Sequence, residues 1–201
     1  MIMLNEKLKN FNIILASGSP RRQEFFKNLG LDFEIRLKPV KEEYPPRLTH
    51  FEISNYLAQL KALPFKDELK ENDILITSDT IVWHNNEALG KPKDEDDAFN
   101  ILKSLSNTTH EVITSVCFTT INSEKTIHNI TKVTFKDLTD DEISYYIKTC
   151  KPFDKAGAYG IQEWIGQIGI TNIEGSYFNV MGLPVHLVYK TLIFLAEKSN
   201  L

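Results

Sequence analysis

The sequence predicts an α/β protein built on a mixed sheet. Three observations carry that expectation. Short apolar runs alternate with amphipathic helical stretches along the chain, as a sheet covered by helices requires. The run "DILITSDTIVWH" (73–84) is mostly apolar and β-branched, as a central buried strand would be. Helix-start signals stand before several helical stretches: a Ser or Thr followed by Pro, or by Glu three residues on.

The elements follow in order. "NIILAS" (12–17) is a short buried strand. Ser19 can cap the next helix, Pro20 suits its first turn, Phe25, Phe26 and Leu29 form its apolar face, and Gly30 can end it. "DFEIRLKP" (32–39) is a second strand and "KEEYPPRLTH" (41–50) a polar loop. In "THFEISNYLAQLKALPF" (49–65) Ile53, Leu57 and Leu60 share a helical face, with Thr49 and Glu52 as a capping box. After the strong strand 73–84, Asn85-Asn86 can turn the chain back. "DEDDAFNILKSL" (94–105) is an amphipathic helix with Ala98, Ile101, Leu102 and Leu105 on one stripe. "EVITSVCFTTI" (111–121) and "ITKVTFKDL" (130–138) are strands around a polar turn, and Thr139 with Glu142 is a second capping box. The glycine-rich segment 154–184 reads as loops and short strands, and "LPVHLVYKTLIFLAEK" (183–198) as a closing helix.

Composition narrows the function. The chain has 201 residues, 42% hydrophobic, with 23 basic and 27 acidic side chains and a net charge of −4. That balance disfavours a general nucleic-acid binder, so any anionic partner must meet a local basic cluster. Two cysteines, Cys117 and Cys150, make neither a CxxC pair nor a zinc spacing. The first residues carry no secretory pattern, and no stretch reaches the ~20 apolar residues that span a bilayer. The expectation is a cytoplasmic protein with no membrane partner.

Several polar residues stand out. Asp79 lies inside the apolar strand, where an unpaired carboxylate is expensive, so it is either a structural Asp tied to a turn or a metal ligand or general base. Lys91 is presented by the rigid turn "LGKPKD" (89–94), and Lys61 stands at the edge of a helix's apolar face. Singly, each reads as an ordinary surface lysine. Glu42 or Glu43 could join Asp79 in a Mg²⁺ site, which needs only one or two carboxylates besides phosphates and water. In "DKAGAYGIQ" (154–162) two glycines allow close approach, and the Gln162 amide offers a donor and an acceptor that complement the edge of uracil or thymine. Arg21 and Arg22 put two cations at the positive end of a helix, which makes sense if a strongly anionic ligand lands there.

Together, "LASGSPRRQEF", "SDTIVW", "LGKPKDEDDA", "LSNTTHEVIT", "DKAGAYGIQ" and "IEGSYFNVMGLP", in that order, resemble the Maf family of nucleoside-triphosphate pyrophosphatases across nearly the whole chain. The resemblance implies one Maf-like domain over 1–201, an elongated Maf/ITPase-like mixed sheet with flanking helices and two lobes around a central cleft. It also implies hydrolysis of a nucleoside triphosphate to the monophosphate and pyrophosphate with a divalent metal, Mg²⁺ or Mn²⁺. Asp79 would then be the proton acceptor, with Glu42 its companion at the metal. Arg21, Thr80 and Gln162 fall on positions tied to substrate choice. Glu42, Lys61 and Lys91 match polar positions of the family's cleft, and Ser17, Ser19 and Arg22 complete its first motif, Arg22 either touching phosphate or holding the loop.

"DKAGAYGIQ" looks like the branch acting on dTTP and UTP, with CTP or modified pyrimidines also open. The alternatives are a pyrophosphatase for 7-methyl-GTP or another modified purine nucleotide, and a nucleotide-binding regulator of cell division. A homodimer is compatible with the family. Asn107, Lys151 and Glu163 depart from its common pattern, Glu163 standing where glycine is usual.

Overall fold

The computed structural model describes residues 4–198 and is a seven-stranded mixed sheet flanked by helices. A short helix α1 (Leu4–Lys7) precedes strand β1 (Asn12–Leu15), helix α2 (Pro20–Asn28) and strand β2 (Phe33–Ile35). Helix α3 (Phe51–Ala62) runs into a 3-10 segment (Leu63–Glu68), and strand β3 (Asp73–His84) follows. Next come β4 (Glu87–Leu89), α4 (Glu95–Leu105), β5 (Thr109–Thr119), β6 (Glu124–Phe135) and α5 (Asp140–Cys150). A 3-10 turn (Ala156–Ala158), α6 (Trp164–Gly169), β7 (Ile170–Glu174), α7 (Tyr177–Val180) and α8 (Val185–Lys198) complete the chain.

The strand order is β2-β1-β3-β5-β6-β7, with β4 paired to β3. β1 is parallel to both neighbours, Ile14 lying opposite Glu34 and Leu75. The β3–β4 and β6–β7 pairs are antiparallel. Asn85 and Asn86 have φ of 49° and 63°, the two left-handed positions of a type I′ hairpin turn between β3 and β4.

The chain divides into two compact units. The first holds the chain through Asp79, Ser115–His128 and the chain from Gly182. Its β1 and β3 side chains Ile14 and Leu75 pack with Ala62, Phe65 and Leu69. Helix α2 buries Phe25 and Phe26. It ends in a Schellman motif: Gly30, at φ 69°, donates to the Lys27 carbonyl, and the Leu31 N–H reaches the Phe26 carbonyl.

The second unit holds Thr80–Thr114 and Asn129–Met181. Ala98, Leu102 and Leu105 of α4 pack with Ile143, Tyr146 and Ile147 of α5, over Val112, Val133 and Phe135. Each large apolar side chain sealed in this way contributes about 2 kcal/mol. The Thr139–Glu142 capping box opens α5 with both of its reciprocal bonds.

Some local expectations change. Ser19 is the N-cap of α2, but its hydroxyl makes no capping bond; the Ser17 hydroxyl instead accepts the Ser19 N–H. His50, at φ 52°, takes the N-cap of α3 in place of Thr49. Half of the expected box survives there, the Glu52 carboxylate accepting the Thr49 N–H. Leu60 is only half-buried, because the stripe of α3 against the core runs through Ile53, Leu57, Ala58 and Ala62. The glycine-rich segment contains two short helices, α6 and α7, besides its strand. Its glycines hide α6 from propensity arguments, yet Gly166 is what lets it form: a Cβ there would stand 1.9 Å from the Ile161 carbonyl oxygen.

Candidate active site

In the first unit, the geometry starts from the two-residue period of β3. Thr77 and Asp79 project to the same face. Residues 58 and 61 of α3 are neighbours on one helical face. The two periods match in two rungs. The buried Thr77 hydroxyl donates to the Ala58 carbonyl at 2.6 Å, and Lys61 Nζ donates to Asp79 Oδ1 at 2.7 Å. Lys61 sits in the last turn of α3, where the helix dipole favours a cation. Its ammonium is shared: Glu42 Oε1, from the polar loop, lies 3.1 Å away.

Asp79 is 6% exposed. Burial raises its carboxyl pKa above the ordinary value, and Lys61 and Arg22 pull in the opposite direction. Arg22 enters from the first turn of α2. Its Nε donates to the Gly182 carbonyl and its Nη1 to the Ser78 carbonyl, both at 2.8 Å. Burial lowers its pKa, Arg21 adds to that, and Asp79 and Glu42 oppose it. Arg22 therefore fastens β3 one residue before Asp79 while adding positive charge near the carboxylate. Ser17 is buried beneath the start of α2, and its carbonyl accepts from the Gln23 amide at 3.1 Å. Arg21 is half-buried on the same first turn. Thus Asp79, Lys61, Glu42 and Arg22 form one electrostatic cluster, with Ser17, Ser19 and Arg21 at the adjoining helix start.

In the second unit, Thr80 begins a neutral hydrogen-bond chain. Thr114 Oγ1 donates to the Asn179 carbonyl at 2.9 Å, so the 2.9 Å contact between the Thr80 and Thr114 hydroxyls uses the Thr80 proton. Lys91 is exposed in the turn between β4 and α4. That turn is tied to the glycine-rich segment, because the Gly157 N–H donates to the Gly90 carbonyl at 3.0 Å. Gln162 is half-buried in the turn just before α6.

Among the described residues, no group of three or more His, Cys, Asp or Glu side chains gathers as a metal site would require. The donor set that does exist is the carboxylate pair Asp79 and Glu42, with a shared ammonium marking where positive charge is stable. Two hard oxygen donors suit Mg²⁺ or Mn²⁺ whose remaining positions are filled by phosphate oxygens and water.

Sequence reasoning passed over one residue near Gln162. Tyr146 of α5 is linked to Glu163, which in turn meets Lys155. Tyr146 reads in the sequence as an ordinary apolar position of α5, so no local signal marks it.

The comparisons with known proteins agree with one another. The family described as "Maf-like protein" matches residues 12–194. A dTTP/UTP pyrophosphatase of Flavobacterium johnsoniae is 66% identical over 193 residues, 96% of this chain and 100% of the relative. One from Flavobacterium psychrophilum, bearing the same description, is 63% identical over 95% of this chain and 98% of the relative. Among solved structures, the Staphylococcus aureus Ham1 protein matches with a TM-score of 0.53, covering 90% of this chain and 97% of that one. At 19% identity that likeness speaks to the fold alone.

Proposed function

The chain belongs to the Maf-like family, and from that premise we propose that it hydrolyses dTTP and UTP to the monophosphate and pyrophosphate, clearing the cytoplasmic nucleotide pool. The observation that carries the chemistry is the buried Asp79 carboxylate, held by the Lys61 ammonium that also meets Glu42. A carboxylate in that setting suits a base that must take a proton while surrounded by a polyanion. Identity of 66% and 63%, over nearly the whole chain, to relatives described as dTTP/UTP pyrophosphatases supports the choice of nucleotide.

Asp79 accepts the proton of a water that attacks the α-phosphorus. A P–O bond forms to that water oxygen, the bond to the α–β bridging oxygen breaks, and pyrophosphate departs. Arg21, the Lys61 ammonium and the backbone N–H groups at the start of α2 offset the ~4 negative charges of the substrate. Arg22 contributes charge and holds the Ser78 carbonyl, while Ser17 and Ser19 shape the turn. Lys91 serves the phosphates, and Thr80 and Gln162 serve base choice. Asp79 and Glu42 would hold a divalent cation, which when bound stabilises charge on phosphate oxygens. Positioning and electrostatics supply the catalysis.

The test is a nucleotide panel with pyrophosphate detection and added Mg²⁺ or Mn²⁺. Turnover of dTTP and UTP well above that of purine triphosphates is expected. Preferential turnover of 7-methyl-GTP, or binding without turnover, overturns the reading.

A further inference from the structure

The turn that carries Gln162 is closed by three hydrogen bonds. The Gly160 N–H donates to the Tyr146 hydroxyl at 3.0 Å. That hydroxyl donates to Glu163 Oε2. The Glu163 N–H donates back to the Gly160 carbonyl at 3.0 Å. The ring thus clamps both ends of a two-residue span, Ile161–Gln162. Glu163 Oε1 is held from outside by Lys155 Nζ at 3.1 Å, and the same ammonium bonds Asp154 at 2.6 Å.

The clamp is sealed where it is anchored and open where it would be read. Tyr146 is fully buried and the Lys155 ammonium is taken up by Glu163 and Asp154, whereas Gln162 is half-buried. The Gln162 amide also lies over this turn. Its Nε2 and Glu163 Oε2 are each 3.0 Å from the point where a Cβ on residue 160 would stand, so the two lie within twice that distance of each other. A Cβ on residue 160 would stand 2.8 Å from Glu163 Cδ, so a side chain there would push the Glu163 carboxylate out of its present place.

We propose that Glu163, tied to Tyr146 and Lys155, is the positioning residue that fixes the Gln162 amide and thereby sets discrimination among pyrimidine bases. The inference rests on the assignment of Gln162 to base choice. Orientation matters here because an amide presents a donor and an acceptor. Rotated, or free to rotate, it matches the wrong base edge as well as the right one, and selectivity built on hydrogen bonding is lost.

The experiment is steady-state kinetics of the full chain with dTTP, UTP and dCTP. The proteins are wild type, Gln162→Ala, Glu163→Ala, Glu163→Gln, Tyr146→Phe and the double variant Gln162→Ala/Glu163→Ala. Gln162→Ala is expected to reduce the preference for dTTP over dCTP about 10-fold. Glu163→Ala should reduce it about 5-fold, through a raised KM for dTTP with kcat changed less than about 2-fold. The double variant should lose no more than Gln162→Ala alone, since a positioning residue has nothing left to position. Glu163→Gln keeps an acceptor for the Tyr146 hydroxyl and should restore most of the preference. Tyr146→Phe opens the clamp without changing charge and should repeat the Glu163→Ala pattern, which keeps the test intact if Glu163→Ala folds poorly. Loss of preference in Gln162→Ala with none in Glu163→Ala and Tyr146→Phe, or additive losses in the double variant, overturns this inference alone. Unchanged preference in Gln162→Ala overturns the assignment of Gln162 and this inference with it.

Discussion

Two consecutive residues of β3 satisfy their polar groups in opposite ways. Asp79, in the first unit, is a carboxylate whose burial is offset by the Lys61 ammonium and the Arg22 guanidinium. Thr80, in the second, begins a neutral chain through Thr114 to the Asn179 carbonyl, and Asn179 itself is fully buried. The second unit repeats the neutral style on β5, where buried His110 meets the Tyr159 hydroxyl at 2.8 Å. A buried ion pair is a weak source of stability, because desolvation consumes most of its Coulomb energy. A neutral hydrogen-bond network avoids the desolvation of a charge, although Asn179 Oδ1 and His110 Nδ1 have no partner among the described residues. The difference separates groups retained for chemistry from groups retained for the fold, and it can be broken by substitution.

The largest expected effect is on turnover. Asp79→Asn preserves shape and removes the charge, so pyrophosphate release should fall about 10³-fold. Stability should change by less than about 1 kcal/mol, since the desolvation of the carboxylate is relieved while Lys61, partly exposed, keeps Glu42. Thermal melts and pyrophosphate release read the two together. A large loss of stability in this variant would assign Asp79 to the fold instead.

Asn179→Ala is the opposite case. The Asn179 amide donates to the Val112 carbonyl and to Thr131 Oγ1, both at 3.0 Å. Removing it leaves two buried acceptors without that donor, a loss of about 3 kcal/mol and a Tm lower by roughly 6–12 °C. Turnover per folded molecule should fall far less than in Asp79→Asn. Comparable losses of turnover in the two variants would erase the distinction between the units.

How much of this is legible in sequence depends on range. The β3 strand, the Asn-Asn hairpin turn, the amphipathic α4 and the Thr139 capping box are local patterns, and each stands where periodicity or turn chemistry places it. Asp79 is legible for a local reason too, as a charge inside an apolar run. What is illegible is non-local. That Lys61 rather than another lysine meets Asp79 depends on α3 crossing β3 so that Ala58 meets Thr77 one rung earlier. The Tyr146–Glu163–Lys155 group joins positions up to 17 residues apart that mean little separately. The α3 cap falls on His50 at φ 52°, although the Glu52 carboxylate still reaches back to the Thr49 N–H, a choice that propensities alone do not make.

The pH dependence of the neutral network gives the finest test. His110 is 2% exposed, and among the described residues its Nδ1 has no hydrogen-bond partner. Burial, with a smaller contribution from nearby His84, lowers its pKa from the ordinary 6.5 to about 3. The sign follows from proton counting. Between pH 6.5 and 3 the unfolded chain carries a proton on this histidine that the folded chain refuses, so stability falls as pH drops through that window and is unaffected by this group above it. At pH 5 the loss is about 2 kcal/mol relative to pH 8, at ~1.4 kcal/mol per pH unit. His110→Gln retains a polar partner for the Tyr159 hydroxyl but does not titrate. It should be less stable than wild type at pH 8, and the gap should narrow by about 2 kcal/mol at pH 5. Urea unfolding at the two pH values measures that difference directly, with every other titrating group cancelling between the two proteins. A gap that stays constant with pH means that His110 takes up its proton in the folded state, and the neutral reading of β5 then fails at its one histidine.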